Sequence, residues 1–184
     1  MATVKKGWKE KKIYRIIAPD SFNQQEIGAT FSSDEKKLIG RNIEVSLRDL
    51  TDDKTKQHIK VVFEIFNVEN GVAKTKFKKF YTSAQYSRSK IKKGISKIET
   101  KMKLKLLDAN IWLRSVIATN KKIQTSKATD MNKKAIEIIE KNKDMKFNDF
   151  LHIALFGKLA SEIYYSVKKI SPVKRVEIEE LRLI

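Results

Sequence analysis

Hydrophobic and polar residues alternate along much of the first two thirds of the chain, which is the period of a β-strand. The segment SKIETKMKLKL alternates most regularly, and its apolar face holds Ile98, Met102, Leu104 and Leu106. Similar patterns predict strands over residues 12–17 (KKIYRIIAP), 42–50 (NIEVSLRDL) and 111–118 (IWLRSVIA). Each of these strands is expected to bury one face and expose the other.

A tight hairpin is predicted around Asn70-Gly71. The flanking runs HIKVVFEIFNV and VAKTKFKKFY are β-branched and aromatic, and Asn-Gly supplies the two positive φ angles of a two-residue turn. The implied register predicts a core face that contains Val62, Phe66, Val68, Ala73 and Phe77. Phe63 and Ile65 then lie near lysines, so we expect the first strand to be covered on both sides or to contain a bulge. Phe63 and Phe77 are assigned to the core.

The last third of the chain has a helical period. A short basic helix is predicted over 83–93, with Ser83 as its N-cap and Gly94 as its stop. The segment DMNKKAIEIIEKN carries an apolar stripe of Met131, Ala135, Ile138 and Ile139. The segment FNDFLHIALFGKLASEIYYSVKKI is predicted to be one long helix capped by Asn148, with an apolar residue every four positions at Leu151, Leu155, Leu159, Ile163 and Val167.

Pro172 ends this helical pattern, and VKRVEIEELRLI then has the alternation of a closing strand. Strands followed by two helices and a strand predict an α+β fold: a mostly antiparallel β-sheet or partly closed β-barrel, with two C-terminal α-helices and the short basic helix. The 184 residues include no linker-like segment. We therefore predict a basic N-terminal arm at residues 1–12 and a single α+β domain over 13–184.

The formal net charge of +18 with 41% hydrophobic residues indicates a folded domain that works against a polyanion. Nucleic acid is the first candidate, before an anionic membrane and an acidic protein. Cysteine is absent, which excludes disulfides and thiol chemistry. The N-terminal cations precede no apolar signal-like run, and no segment is apolar enough to cross a bilayer. We expect a cytoplasmic protein.

Basic residues are concentrated between 74 and 105, where Glu99 is the single acid. Ordinary surfaces mix both signs, so this segment is predicted to bind RNA phosphates, although any one lysine row could be a solvated face. On a strand the outward lysines would repeat at about 6.8 Å. The candidate RNA-binding residues are Lys74, Lys76, Lys78, Lys79, Arg88, Lys90, Lys92, Lys93, Lys97, Lys101, Lys103 and Lys105.

Four aromatic residues are possible stacking partners for unpaired bases: Trp8, Tyr81, Tyr86 and Trp112. Partial burial is the commoner role for each of them. The sequence has none of the signatures of the RRM, KH or zinc-finger modules. Recognition by shape and phosphate is therefore expected.

No catalytic, cofactor or metal signature is present. Gly157-Lys158 lacks the residues of a phosphate loop at the required spacing. His58 and His152 are isolated, and each is predicted to be structural or exposed. Asp49, Asp52 and Asp53 could bind a hard cation, but a solvated turn is the more common outcome for such a loop. We expect neither an enzyme nor a metal or organic cofactor.

Three strings carry a family resemblance: KTKQHIKVVFEIFNVENGVAKTKF, YSRSKIKKGISKIE and FGKLASEIYYSVKKISPVKRVEI. They resemble consecutive blocks of the S3Ae family, small-subunit ribosomal proteins shared by archaea and eukaryotes. WKEKKIYRIIAPDSF and IGRNIEVSLRDL are similar to its N-terminal part, so the resemblance covers nearly the whole chain. The length resembles archaeal members. Lysine stands where several family blocks carry arginine, as in KIKKG, which changes the contacts available to RNA.

The resemblance implies a structural constituent of the small ribosomal subunit that binds ribosomal RNA and neighbouring ribosomal proteins, near the mRNA exit site. It implies no catalytic residues. A freestanding RNA chaperone or mRNA-binding regulator is the alternative. A nuclease would need an acidic metal cluster facing the basic surface, and membrane binding would need a basic amphipathic helix with a large apolar face.

Overall fold

The computed structural model describes residues 11–51 and 53–184. The chain divides into two compact units: unit 1 ends at Lys79, and unit 2 runs from Phe80 to Ile184. Ten of the twelve residues of the predicted basic arm, with Trp8 among them, lie outside the described residues, and Lys12 already begins the first strand. The predicted single domain over 13–184 stays a prediction.

Unit 1 is built mainly of strands. They are β1 (Lys12–Ile17), β2 (Glu26–Ser32), β3 (Asn42–Ser46), β4 (Ile59–Glu69) and β5 (Val72–Thr82), which runs past the end of the unit. β1 pairs antiparallel with β2 and parallel with β5, and β4 pairs with β3 and β5. A short helix, α1 (Leu47–Thr51), follows β3, so the strand predicted over 42–50 is correct only in its first half.

The predicted hairpin is confirmed, because Asn70 and Gly71 have φ angles of 50° and 79°. Phe63 and Phe77 are buried, as predicted. The predicted core face is wrong at Phe66, which is 49% exposed, whereas Ile65 is 1% exposed. The reason is that the core beside this part of β4 contains Tyr14, Ile16, Leu38 and Ala73 and packs on the Ile65 side.

Unit 2 contains an antiparallel three-stranded ladder. β6 (Lys97–Lys105) pairs with β7 (Asn110–Thr119), and β7 pairs with β8 (Val173–Leu183). In β8, Ile178 lies opposite Ser115 and Glu180 lies opposite Arg114. Glu179 is therefore an extra residue, which forms a β-bulge.

Four helices belong to unit 2: α2 (Ala84–Lys90), α3 (Thr125–Lys141), α4 (Phe147–Leu155) and α5 (Lys158–Val167). The prediction of one long helix is wrong, because the chain breaks at Gly157, whose φ of 81° lies in the left-handed region. The five apolar residues of the predicted repeat are nevertheless all buried. Asn148 is not the N-cap: Lys146 takes that position, and the Phe147 N–H donates to Asp108 Oδ1 at 2.8 Å.

Helices α3 and α5 cover one side of the ladder, with contacts to β6 and β8 respectively. Thr100 of β6 donates a hydrogen bond to Asn132 of α3 at 2.6 Å. The buried positions Ile98 and Leu104 share the face of Thr100. The predicted α+β class with mostly antiparallel strands is thus confirmed, and the lysines of β6 lie on the face away from α3.

Candidate nucleic-acid interface

The outward face of β6 carries the predicted row of lysines. Lys97, Lys101, Lys103 and Lys105 are exposed, while the alternate residues Ile98, Thr100 and Leu104 are buried. Because burial anchors every second residue, the backbone of this row is fixed by the packed core of unit 2. The ammonium groups are therefore presented from a rigid strand, and phosphate contacts would not require the backbone to be ordered on binding.

Glu99 interrupts this row and neutralises part of it. Its carboxylate forms ion pairs with Lys97 and, at 3.1 Å, with Lys101. Hydrogen bonds from Lys97 and Lys101 lower the pKa of Glu99 to about 2. Lys103 and Lys105 have no carboxylate partner among the described residues. The free positive charge is thus greatest at the C-terminal half of β6.

The neighbouring strands extend this half of the face with an aromatic residue and a cation. Lys103 lies opposite Trp112 of β7, which lies opposite Arg182 of β8. The Arg182 guanidinium sits 4.3 Å from the centre of the Trp112 ring. Such a cation–π pair leaves the outer face of a planar guanidinium available for stacking. The three residues form a continuous row across the sheet, which we call the Trp112 row.

Arg182 was missed by the sequence prediction, which found Trp112. Arg114 was missed as well, and its side chain donates a hydrogen bond to the buried Glu179 carboxylate at 2.6 Å. A signal was available: both arginines occupy polar positions of alternating strands, in IWLRSVIA and VEIEELRL. Alternation within one strand does not reveal which residues of other strands will lie beside it, because the pairing register is non-local.

The short helix α2 is held against β8 through Tyr86. The Tyr86 hydroxyl donates to Glu177 at 3.2 Å and accepts from Arg175 at 2.6 Å, and Lys90 lies 4.8 Å from the ring centre. Burial raises the pKa of Tyr86, with a further contribution from the Glu177 charge. Tyr86 therefore anchors α2 to β8 through its hydroxyl group, and base stacking by its ring stays a prediction.

The other basic residues of this part of the chain are placed as predicted on the surface. Arg88, Lys92 and Lys93 are exposed at the end of α2 and in the turn that follows, where Gly94 has a φ of 90°. The helix itself ends at Lys90, three residues before the predicted end, and the Ser83 side chain makes no capping hydrogen bond.

The lysines of β5 belong to unit 1 and have a different environment. Lys74 pairs with Glu69 at 2.7 Å, and Lys78 pairs with Glu64 at 3.1 Å. The hydrogen bond from Lys74, followed by that from Asn67, lowers the pKa of Glu69. Lys76 is exposed, and Lys79 is half-buried. Tyr81, the remaining aromatic candidate, is half-buried in unit 2.

The twelve predicted RNA-binding cations are therefore divided between the two units. The first four, Lys74, Lys76, Lys78 and Lys79, are in unit 1, and the other eight are in unit 2. Within unit 2, α2 and β6 contribute Arg88 and Lys97 to the walls of one cleft. Cations of α2 and β6 thus lie beside one cleft of unit 2, and RNA binding by all twelve residues stays a prediction.

The predicted acidic turn forms a local hydrogen-bonded structure. Asp53 accepts hydrogen bonds from the Thr55 hydroxyl at 2.7 Å and its N–H at 3.0 Å, and these bonds lower the pKa of Asp53. Asp49 lies in α1, and Asp52 lies outside the described residues. In the described parts of the chain, no three acidic or histidine side chains are grouped so as to hold a metal ion.

The two histidines have ordinary environments. His152 is exposed and stacks on Phe156, with ring centres 5.8 Å apart, and His58 is half-buried. A search for a bilayer-spanning helix among residues 11–51 and 53–184 finds none of sufficient length and apolarity.

Comparison with known proteins gives a match along the whole chain. The model of the Ribosomal S3Ae family matches residues 1–184. The small ribosomal subunit protein eS1 of Methanobrevibacter smithii is 38% identical over 183 residues, which cover 98% of this chain and 95% of that protein. The eS1 protein of Archaeoglobus fulgidus is 34% identical over 192 residues, and the match covers 100% of this chain and 89% of that protein. The eS1 protein of Saccharolobus islandicus is 33% identical over 184 residues, and the match covers 99% of this chain and 88% of that protein.

Proposed function

The chain belongs to the Ribosomal S3Ae family, and from this membership we propose that it is a structural constituent of the small ribosomal subunit. The observation that carries the proposal is the match of the whole chain to archaeal proteins named as small ribosomal subunit protein eS1. These relatives are matched over nearly their full length, so the resemblance is not confined to one shared module. The resemblance of the sequence to archaeal members agrees with the archaeal sources of these relatives.

The partners that follow are small-subunit ribosomal RNA and neighbouring ribosomal proteins. The net charge of +18 supports a polyanionic partner. A folded RNA would neutralise the fixed cations of β6 and α2 and release counterions from its phosphates, which favours assembly at low salt. We extend the proposal to mRNA near the exit site and to a cytoplasmic location on the ribosome.

We assign the RNA contacts of unit 2 to the exposed cations of β6 and α2, with the Trp112 row as the stacking element. Lys103 and Lys105 are the strongest candidates for phosphate, since no carboxylate pairs with them in the described chain. Arg182 is added to the predicted residues because its guanidinium covers Trp112. The lysines of β5 remain proposed contacts of unit 1.

We also propose that the protein has no catalytic activity of its own. This inference is supported by membership of a family of ribosomal proteins. In the proposed role, the chain contributes binding energy and charge neutralisation to RNA folding, and no residue needs to transfer a proton or a group.

The proposal is tested by sedimentation of the tagged chain with ribosomal subunits. In a cell lysate at about 0.1 M salt, the protein should sediment with the small subunit. Neutralisation of six to ten phosphates predicts a loss of roughly 10³–10⁵ in RNA affinity between 50 and 200 mM salt for the isolated chain. Recovery of the protein only in the ribosome-free fraction at low salt would overturn the proposal and favour a freestanding RNA-binding role.

A further inference from the structure

A cleft of about 400 Å³ opens in unit 2 beside the lysine row. Residues of α2, β6, β7 and β8 line this cleft. The side chains used in the argument are Ser87, Arg88, Ile91, Lys97, Arg114 and Glu179. This volume lies in the range of small-ligand sites, roughly 300–1,000 Å³. The proposed binding of extended RNA to the flat strand face does not require such a cleft.

Glu179 gives the cleft a hydrogen-bond acceptor. Glu179 is 3% exposed, and one of its carboxylate oxygens, Oε2, accepts a hydrogen bond from Arg114 Nη2 at 2.6 Å. The second oxygen, Oε1, has no hydrogen-bond donor among the described residues. Oε1 is not among the buried side-chain atoms that lack a partner, so it is open to solvent, whereas Arg114 Nε is buried without a partner in the described chain. Glu179 can therefore accept one further N–H from a ligand in the cleft.

The bulge in β8 places residue 179 at the cleft. Glu179 is the residue that β8 has in excess of β7, and it lies between Ile178 and Glu180 without its own partner on β7. Its side chain reaches Arg114 on the lysine-bearing face. The acceptor is consequently built into the sheet and does not depend on a mobile loop.

The rim and wall of the cleft have complementary chemistry. Arg88 is exposed and has no carboxylate partner among the described residues. Its guanidinium can form two parallel hydrogen bonds to a phosphate. Ile91 provides an apolar wall and Ser87 a hydroxyl group. An anion-binding rim, an apolar wall and an internal acceptor fit a nucleotide.

We propose that this cleft holds a single unstacked nucleotide of the bound RNA, with the phosphate at Arg88 and the base donating an N–H to Glu179. The proposal rests on the proposed RNA-binding function and adds a specific site to it. Adenine, cytosine and guanine carry exocyclic amino donors, whereas the one N–H donor of a uracil nucleotide, N3–H, lies between two carbonyl oxygens that the Glu179 carboxylate would repel. The cleft should therefore prefer these three bases to uracil. An acidic side chain is a poorer fit, because a carboxylate only accepts hydrogen bonds and cannot donate one to Glu179.

Nucleoside 5′-monophosphates provide the direct test, because they are too small to span the lysine row. The ¹⁵N-labelled full-length chain is titrated separately with CMP, AMP, GMP and UMP. CMP, AMP and GMP should produce saturable shifts of the Ser87, Arg88 and Ile91 amides. UMP should bind about tenfold more weakly, because its N3–H can approach Glu179 only with two carbonyl oxygens facing the same carboxylate.

Two variants and a matched control separate the groups. Glu179→Gln removes the anionic acceptor and should reduce the preference of CMP over UMP to less than about threefold. Arg88→Gln should weaken all four nucleotides about equally, by roughly tenfold. Lys133→Gln removes one charge from an exposed position of α3 and should change nothing. Because Arg88 is exposed, Arg88→Gln should fold normally. This variant therefore still tests the proposal if Glu179→Gln fails to fold.

Several results would overturn the cleft proposal. These are an absence of saturable shifts at the cleft, equal affinity for UMP and CMP, or an acidic peptide such as tetraglutamate displacing CMP from these amides. The last result would assign the cleft to a protein partner. If the wild-type chain still sediments with the small subunit in that case, only the nucleotide site fails, and the proposed ribosomal function stands.

Discussion

Strands β5 and β6 have nearly the same sequence pattern and differ in their electrostatic surroundings. Both alternate buried residues with outward lysines, as in KTKFK and KMKLK. The lysines of β5 face carboxylates of β4, with Lys74 paired to Glu69 and Lys78 to Glu64. The neighbours of β6 on β7 include no acid: Lys101 lies opposite Arg114, Lys103 opposite Trp112 and Lys105 opposite Asn110.

This difference shows that an outward lysine is not necessarily an available charge. Alternation decides which side chains leave the core, but the acids within reach, on the neighbouring strand or two residues away on the same strand, decide whether a cation is neutralised. Exposed ion pairs contribute little to stability, yet they compete with phosphate for the ammonium group. We therefore propose that β6 binds RNA more strongly than β5.

The buried faces of the two strands should respond alike. Leu104→Ala in β6 and Phe77→Ala in β5 each remove a side chain that is at most 7% exposed, so each should lower the free energy of unfolding by about 2–5 kcal/mol. Urea denaturation followed by circular dichroism measures this loss. The outward substitutions Lys103→Ala and Lys76→Ala are the controls and should stay within about 0.5 kcal/mol of wild type. A control as costly as the core change would show that the faces are assigned incorrectly.

The outward faces should respond differently. Replacing Lys101, Lys103 and Lys105 together by Gln should weaken binding to small-subunit RNA by roughly 10²–10³-fold at 0.1 M salt and reduce the logarithmic salt slope by about 2–3. The matched triple replacement of Lys74, Lys76 and Lys78 should have a clearly smaller effect, because two of these lysines already have carboxylate partners. Filter binding at several salt concentrations measures both. Equal losses in the two triple variants would remove the distinction between the strands.

Removing the acid of β6 should strengthen RNA binding. Glu99→Gln releases Lys97 and Lys101 from their shared carboxylate and should raise RNA affinity about tenfold at 0.1 M salt, with a steeper salt slope. Glu69→Gln is the matched change in unit 1 and releases Lys74 alone, so its gain should be smaller. Unchanged affinity in Glu99→Gln, measured by the same filter assay, would mean that these two lysines do not reach phosphate.

The stabilising effect of Glu99 should depend on pH. Its pKa is about 2 in the folded chain, below the usual 4.5, so the folded state favours the ionised form. The contribution is complete above pH 4.5 and is lost as the pH falls toward 2. Because the group is partly solvent-screened, Glu99→Gln should cost about 1 kcal/mol at pH 7. Urea denaturation of both proteins at pH 7 and pH 2 tests this, and a difference that is the same at both pH values would contradict it.

Local patterns predicted those parts of the fold that depend on local chemistry. Asn70-Gly71 forms the expected turn, and the alternation around Leu104 places the β6 lysines outside, as found. β2 was missed because EIGATFS contains a glycine and buries only Ser32. The break at Gly157 was missed because the four-residue apolar repeat continues through it. The same apolar residues are buried whether this segment forms two helices or one straight helix. Periodicity alone therefore could not distinguish the two structures.

The candidate site was predictable only one strand at a time. The lysines of β6 follow from SKIETKMKLKL, but their neighbours on β7 and β8 depend on pairing between residues far apart in sequence. Arg182 reaches Trp112 from 70 positions further along the chain, as the numbering shows. The Glu179 acceptor depends on a bulge, and VEIEELRL contains no glycine or proline to mark where one forms.

The bulge at Glu179 has an evolutionary consequence. On either side of it, Ile178 still lies opposite Ser115 and Leu181 opposite Leu113. Deletion of the single Glu179 codon would therefore restore regular pairing of β8 with β7 at this point and keep Ile178 and Leu181 on one side of the strand. An inserted codon at this place could likewise supply a carboxylate to a pre-existing sheet, so this site could be gained or lost through one indel while the fold was inherited unchanged.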